Sequence, residues 1–254
     1  MKILYKILFM SLSTLIFVSC GSDKNENNTT NTDDNISESE NNTTENTNLI
    51  THNGTTYGFV ISPYTNKVWL DRNLGAVRVC EQFDDSACYG DYYQWGRGLD
   101  GHQDSTSSTT TALTGDVNSV GIEFIANGTE PRDWTSIDDT GSTRTVNWSK
   151  TDGFSVCPTG FRVPTLAELQ AELLDADSAQ ISNRGDAYAS FLKFPSAGVR
   201  GSSSGTMDDV GSWGAVWTNS VDGTSSYGVY FDSSITGWSN VYRAAGLSVR
   251  CLRD

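Results

Sequence analysis

The strongest structural signal in the chain is the run Pro164-Thr165-Leu166-Ala167-Glu168-Leu169-Gln170-Ala171-Glu172-Leu173. Thr165 is a favoured N-cap residue, and Glu168 three positions later completes a capping box. The leucines recur three and four positions apart, so they share one helical face. The pattern predicts a helix from Thr165 to about Asp177.

The segments on both sides of this helix have the patterns of strands and loops. Residues 57–61 and 67–70 flank a five-residue loop and predict a β-hairpin. Residues 98–148 are rich in Ser, Thr, Gly and Asp, which is typical of long surface loops. Three further strands are predicted, around residues 215–218, 227–231 and 247–252. The fold class expected is therefore α+β, with antiparallel sheets, one or two helices and long loops.

Composition indicates a folded, sheet-rich domain and argues against nucleic-acid binding. The 254 residues are 37% apolar and 11% aromatic, which is enough to bury a substantial core. The 24 glycines, 10 tyrosines and 7 tryptophans suit turn-rich sheet structure better than a helical bundle. With 31 acidic and 17 basic side chains the net charge is -14, so the phosphates of nucleic acids would be repelled. Nucleic acid is not expected as a partner.

The chain divides into three parts. Residues 1–19 carry two lysines and then an apolar stretch, residues 7–18, that is short for a membrane span; this is the pattern of an export signal. Residues 20–48 consist mainly of Asn, Thr, Glu, Asp and Ser and predict a disordered acidic tether. Residues 49–254 have the size of one domain and show no internal repeat.

The end of the export signal resembles the lipobox of bacterial lipoproteins in the segment Leu15-Ile16-Phe17-Val18-Ser19-Cys20. The resemblance implies cleavage before Cys20 and lipidation of its thiol. The lipid anchor would then be the protein's only contact with the membrane. We therefore expect an outer membrane lipoprotein of the bacterial cell envelope, exposed at the surface. An ordinary secreted protein with an unmodified Cys20 is the alternative.

The other four cysteines, Cys80, Cys88, Cys157 and Cys251, are an even number in an exported chain and predict two disulfides. Three pairings are open. The short separation of Cys80 and Cys88 favours a bond between them, which leaves Cys157 for Cys251. A zinc site is the competing interpretation, but no Cys-x-x-Cys pair is present.

Several segments resemble, in the family's order, the signature of the Fibrobacter succinogenes major paralogous domain (FISUMP). They are Trp69-Leu70-Asp71-Arg72-Asn73-Leu74-Gly75, Tyr89-Gly90-Asp91-Tyr92-Tyr93-Gln94-Trp95-Gly96-Arg97, Cys157-Pro158-Thr159-Gly160-Phe161-Arg162-Val163-Pro164-Thr165-Leu166-Ala167-Glu168-Leu169 and Ala245-Gly246-Leu247-Ser248-Val249-Arg250-Cys251. The resemblance covers residues 49–254. It implies a surface lipoprotein module with a mixed fold similar to C-type lectins. It also supports the pairing of Cys157 with Cys251.

Two short catalytic motifs lack the structure that their chemistry needs. Residues 96–101 match G-x-G-x-x-G, but the polar sequence that follows does not predict the helix that would hold a pyrophosphate. Residues 201–205 match G-x-S-x-G, but the next residues again have a loop pattern, and a serine hydrolase would need one of only two histidines. We expect a protein that is not an enzyme.

Binding is the function expected instead. Exposed tryptophans can stack on sugar rings, while Asp, Asn and Arg form directional hydrogen bonds with hydroxyl groups. Two groups combine these residue types: Trp95, Arg97, Asp100 and His102, and, at the end of a later strand, Trp217, Asn219 and Asp222. The expected partner is a glycan or a surface protein. An envelope scaffold without a small-molecule ligand is the alternative.

No cofactor is predicted. Calcium bound through carboxylate and carbonyl oxygens is an alternative that the sequence does not support. Residues 217–219 differ from the Trp-Asn-Asp triplet of calcium-dependent lectins. No metal ion is therefore assigned to the protein.

Overall fold

The computed structural model describes residues 48–173 and 181–254. Its strands are β1 (Leu49–His52), β2 (Thr55–Ile61), β3 (Val68–Leu70), β4 (Tyr93–Gln94), β5 (Thr109–Thr110), β6 (Phe124–Ile125), β7 (Phe161–Arg162), β8 (Val199–Arg200), β9 (Met207–Asp208), β10 (Gly214–Asp222), β11 (Ser225–Phe231), β12 (Thr236–Val241), β13 (Gly246–Leu247) and β14 (Leu252–Arg253). Its helices are α1 (Ser142–Trp148), α2 (Leu166–Leu173) and α3 (Arg184–Ala189).

These strands form mainly antiparallel sheets. A five-stranded sheet has the order β1-β2-β3-β14-β7, so it joins the first strands of the domain to the last one. A three-stranded sheet has the order β10-β11-β12, and a four-stranded sheet the order β4-β13-β8-β9. Only the short pair β5-β6 is parallel among the described strands. The predicted α+β class with antiparallel sheets is confirmed.

The predicted hairpin and helix are present. Strands β2 and β3 pair with Val60 opposite Trp69. At the start of α2, the Thr165 hydroxyl accepts the Glu168 N–H at 3.2 Å, and the Glu168 carboxylate accepts the Thr165 N–H at 2.9 Å. This is the reciprocal capping box that the sequence predicts. The predicted helix end near Asp177 lies outside the described residues.

The three-stranded sheet has core residues on both faces. Val216 and Val229 lie in the cluster that contains the buried leucines of α2. Ala215 and Trp217, which alternate with Val216 along β10, lie in a second cluster with Leu247. Because successive strand residues point to opposite faces, one strand contributes to both clusters.

Both predicted disulfides are present. Cys80 and Cys88 are bonded with their Cα atoms 5.0 Å apart, and Cys157 and Cys251 with theirs 5.9 Å apart. The second bond connects the segment just before β7 to the residue just before β14. It therefore ties the segment that leads into α2 to the end of the chain.

The described residues contain three α-helices and a short 3-10 helix, Ser86–Cys88, where one or two helices were expected. The sequence did not predict α1 and α3, because they have no clear apolar period. Helix α1 begins after Gly141 without a side-chain cap on that residue. The Asp138 carboxylate instead accepts the backbone N–H groups of Thr143 and Arg144 at 3.1 and 3.2 Å. This cap lies outside the usual spacing and gives no standard sequence signal.

The predicted strand at residues 247–252 is divided into β13 and β14. Between them, Arg250 is buried and donates to the Leu192 carbonyl at 2.6 Å and to Asn73 Oδ1 at 3.0 Å. The chain thus passes from the four-stranded sheet to the five-stranded sheet around a buried guanidinium. An alternation pattern does not reveal such a change of sheet.

The described residues from 48 onwards belong to one compact unit, Asn46–Asp254. The predicted export signal, the Cys20 lipidation site and all but the last residue of the predicted tether lie outside the described residues. None of the described helices combines the length and apolarity that crossing a membrane requires.

Candidate functional site

The two tryptophans predicted to bind sugars are both fully buried. Trp95 donates its indole N–H to the Thr218 carbonyl at 2.8 Å, and Trp217 donates to the Tyr93 carbonyl at 2.7 Å. Both rings belong to one core cluster. The prediction that these residues offer exposed stacking faces is wrong, because their rings fill the core and their only donors are already paired with backbone carbonyls.

The polar residues that follow Trp95 form an internal network. The buried Arg97 donates to Asp100 Oδ2 at 2.9 Å, to Gln94 Oε1 at 2.6 Å and to the carbonyls of Gly121 and Glu123. These hydrogen bonds, all to neighbouring parts of the domain, hold the guanidinium of Arg97 inside the fold. Arg97 is not a ligand-binding residue; it fixes the loop that leads to β6.

His102 is also buried, and its partners define its protonation. Its Nε2 accepts the Gln94 backbone N–H at 3.0 Å, so the proton of the neutral ring is on Nδ1, which lies 2.5 Å from Asp100 Oδ1. Burial lowers the pKa of His102 to about 4, although hydrogen bonding to Asp100 opposes this shift. The predicted ligand-binding role of His102 is wrong, because both of its ring nitrogens serve the fold.

This pKa predicts how stability depends on pH. Between pH 7 and pH 5 the unfolded chain protonates His102, whose ordinary pKa is about 6.5, while the folded chain keeps it neutral. The unfolded state then binds more protons, so the His102 contribution to the free energy of unfolding falls by about 2 kcal/mol over this interval. Urea unfolding of the wild type and of His102→Asn at both pH values should show this difference, and NMR should show the imidazole titrating near pH 4. Equal pH slopes in the two proteins would contradict the assignment.

The second predicted group does not form a surface site either. Asn219 is buried and donates to the Ser149 hydroxyl at 3.1 Å. Asp222 is partly exposed at the end of β10, opposite Ser225 in the hairpin. The hydrogen bond from Trp95 to Thr218 brings the two predicted groups together inside the core, so they form no common binding surface.

A different group of aromatic residues faces solvent, in a cavity that we name the aromatic cleft. Its volume is about 370 Å³, within the range of small-molecule sites. The half-buried rings of Trp213 and Tyr230 have centroids 6.3 Å apart and planes inclined by 16°. The cleft is lined by Trp213, Ala215, Gly228, Tyr230, Ser239, Asn240 and Val241.

Small residues create the space for this cleft. Ala215, near the start of β10, and Gly228, in the middle of β11, add little side-chain bulk to the lining. A Cβ atom on Gly228 would lie only 3.2 and 3.3 Å from the side chains of Leu247 and Val241. A Cβ atom on Gly237, which pairs with Tyr230, would lie 3.0 Å from the phenol oxygen. The absence of this atom lets the Tyr230 ring lie across β12.

The chemistry of the aromatic cleft suits an uncharged polar ligand. Among the described residues that line it, none is charged. Ser239 and Asn240 are exposed and line the cleft beside the aromatic wall. The Ser239 hydroxyl donates to the Asn240 backbone carbonyl at 3.3 Å, and its oxygen can still accept a hydrogen bond. Aromatic faces can cover the C–H faces of a sugar ring while such polar groups bind its hydroxyls. The arrangement can therefore hold a neutral sugar.

The aromatic cleft could be predicted only in part from the sequence. Strand alternation places residues 215 and 217 on the same side of β10, and residue 213, just before the strand, continues that row. It does not show which end of the row is exposed. Strand β12 was not predicted, because Gly237, Ser239 and Asn240 interrupt the strand-forming residues of its sequence, Thr236-Gly237-Trp238-Ser239-Asn240-Val241. Without β12, neither Ser239 nor Asn240 could be placed beside Tyr230.

Within residues 48–173 and 181–254, no group of three or more His, Cys, Asp and Glu side chains is arranged to hold a metal ion. Comparisons with family models, with curated proteins and with solved structures found no match to this chain.

Proposed function

We propose that this protein is a non-catalytic lipoprotein of the bacterial cell envelope, and that it binds a glycan in the aromatic cleft. The single observation that carries the binding proposal is the uncharged cleft in which Trp213 and Tyr230 form a wall above a floor of Ala215 and Gly228. A flat apolar wall next to an exposed hydroxyl and an exposed amide group matches the two kinds of surface on a sugar.

The cellular location is proposed from the sequence. The export signal and the lipobox-like segment ending at Cys20 support an outer membrane lipoprotein whose lipid anchor is its contact with the membrane. The segments resembling FISUMP, with its lectin-like fold, support a surface module. The two disulfides are consistent with an oxidising compartment outside the cytoplasm.

A glycan array probed with the full chain tests the proposal. We expect binding to neutral glycans, and we expect EDTA to leave the signal unchanged, because the lining of the aromatic cleft contains no carboxylate. A signal that disappears in EDTA would indicate a calcium-dependent site elsewhere. A folded protein that binds nothing on the array would remove the glycan proposal and favour the envelope scaffold.

A further inference from the structure

A second cavity lies on a different part of the domain, and we name it the Lys150 cavity. Its volume is about 340 Å³. It is enclosed by the turn after β4, the loop before β6, the end of α1 and the segment that follows α1. Its apolar walls are formed by Leu99, Val117, Val120, Trp148, Phe154 and Val156. Phe154 is 89% exposed at the rim, although an aromatic ring of this size is usually buried.

The carboxylate and amide oxygens of the side chains around this cavity already accept hydrogen bonds. Asp100 Oδ1 accepts from His102, and Asp100 Oδ2 accepts from Arg97 at 2.9 Å. Asn147 Oδ1 accepts from the Lys150 ammonium at 3.1 Å. Asn118 Oδ1 accepts from the Asn147 amide at 2.9 Å. The cavity thus offers few free acceptors to a ligand.

Several donors, in contrast, have no partner among the described residues. The Lys150 ammonium forms one hydrogen bond out of three, and no carboxylate of the described residues lies within ion-pair distance of it. The Asn118 amide nitrogen donates no hydrogen bond within this part of the chain. The Ser155 hydroxyl is the strongest case, because this residue is only 6% exposed and its oxygen has no partner in the described structure.

An unpaired buried hydroxyl costs free energy, so its presence beside a cavity points to a ligand that would satisfy it. The Ser155 hydroxyl can donate as well as accept, and the neighbouring Lys150 is a cation that only donates, so an anionic acceptor would suit both groups. A carboxylate provides strong acceptors and a matching charge. The apolar walls favour a ligand with a hydrocarbon body and disfavour a small inorganic anion.

We propose that the Lys150 cavity binds a small carboxylic acid with an apolar body, in its ionised form. The carboxylate is held by Lys150 and Ser155, and the hydrocarbon part lies against Leu99, Val120 and Phe154. This site is separate from the aromatic cleft and does not depend on glycan binding.

The probe for this site is phenylacetate, and 2-phenylethanol is the neutral control of the same skeleton. We expect phenylacetate to shift the backbone NMR signals of Ser155 and Val156 in the full chain, with an affinity about tenfold or more above that of 2-phenylethanol. Equal affinities, shifts confined to other surfaces, or no binding of phenylacetate at millimolar concentration would overturn the proposal.

Three variants separate a binding role from a structural one. Ser155→Ala removes an unpaired hydroxyl, so we expect unchanged or slightly higher stability together with phenylacetate binding that is several-fold weaker. Lys150→Met should weaken binding about tenfold, while Lys193→Met removes the same charge from a side chain that lies over the Tyr188 ring and should leave binding unchanged. Wild-type affinity in Lys150→Met would refute the site. Trp213→Ala should bind phenylacetate normally, so failure of the glycan proposal would not affect this result.

Discussion

Replacing Cys157 and Cys251 together by alanine is expected to lower the free energy of unfolding by about 4–5 kcal/mol. The two cysteines are 94 positions apart in the sequence, so their bond closes a long loop and removes much conformational freedom from the unfolded chain. Both residues are fully buried. For a domain of this size the midpoint of thermal unfolding should fall by about 10–15 °C.

The matched control is the double substitution of Cys80 and Cys88 by alanine. That pair is separated by 8 positions, and the same chain-entropy argument gives about 2.5 kcal/mol for its small loop. Urea unfolding of both double variants measures the two effects. A loss for the Cys80 and Cys88 variant that equals or exceeds the loss for the Cys157 and Cys251 variant would show that loop length does not determine the contribution of these bonds.

Replacing Trp217 by alanine is expected to cost about 3–5 kcal/mol of stability, because it empties a large volume in the core. Its indole N–H is bonded to the Tyr93 carbonyl, which would lose its donor as well. The matched control is Trp238→Ala on β12. Trp238 is 50% exposed, so we expect a change within about 0.5 kcal/mol.

Chemical unfolding of the two variants gives the comparison. A small effect for Trp217→Ala, similar to that of Trp238→Ala, is incompatible with a buried Trp217. It would restore the original interpretation of Trp217 as a surface residue that stacks on a ligand.

The features that sequence predicted correctly are those set by neighbouring residues. The capping box of Thr165 and Glu168 acts within one helical turn, and the hairpin of β2 and β3 is defined by two short apolar runs and the loop between them. The bond between Cys80 and Cys88 closes a small loop. Each depends on contacts close in sequence, so a local pattern was sufficient to predict it.

The burial of Trp95 could not be predicted in this way, because it depends on partners far along the chain. Its neighbours Gly96 and Arg97 are residues typical of an exposed turn. In the fold, the guanidinium groups of Arg144 and Arg243 lie 5.3 and 4.8 Å from the Trp95 ring centroid. The Asp133 carboxylate accepts hydrogen bonds from the two terminal guanidinium nitrogens of Arg144 at 2.6 and 2.7 Å and so compensates a buried charge.

The position of the aromatic cleft could not be predicted from the sequence for the same reason. Trp213, just before β10, and Trp217, within it, are four positions apart, yet one is half-buried and the other is in the core. The two tryptophans differ in the residues that surround their rings. Trp217 is a buried member of the cluster that contains Leu247, whereas Trp213 packs against that cluster while partly exposed, beside the exposed Ser239. This difference arises only when the strands assemble.

The most direct test of the central claim is the affinity of Trp213→Ala for the glycan that gives the strongest array signal, measured beside the wild type and Trp238→Ala by isothermal titration calorimetry. Loss of an aromatic stacking surface should weaken binding about fivefold or more in Trp213→Ala, because such a contact contributes about 1–3 kcal/mol. Trp238→Ala should bind as the wild type does. If Trp213→Ala keeps the wild-type affinity, the aromatic cleft is not the glycan site.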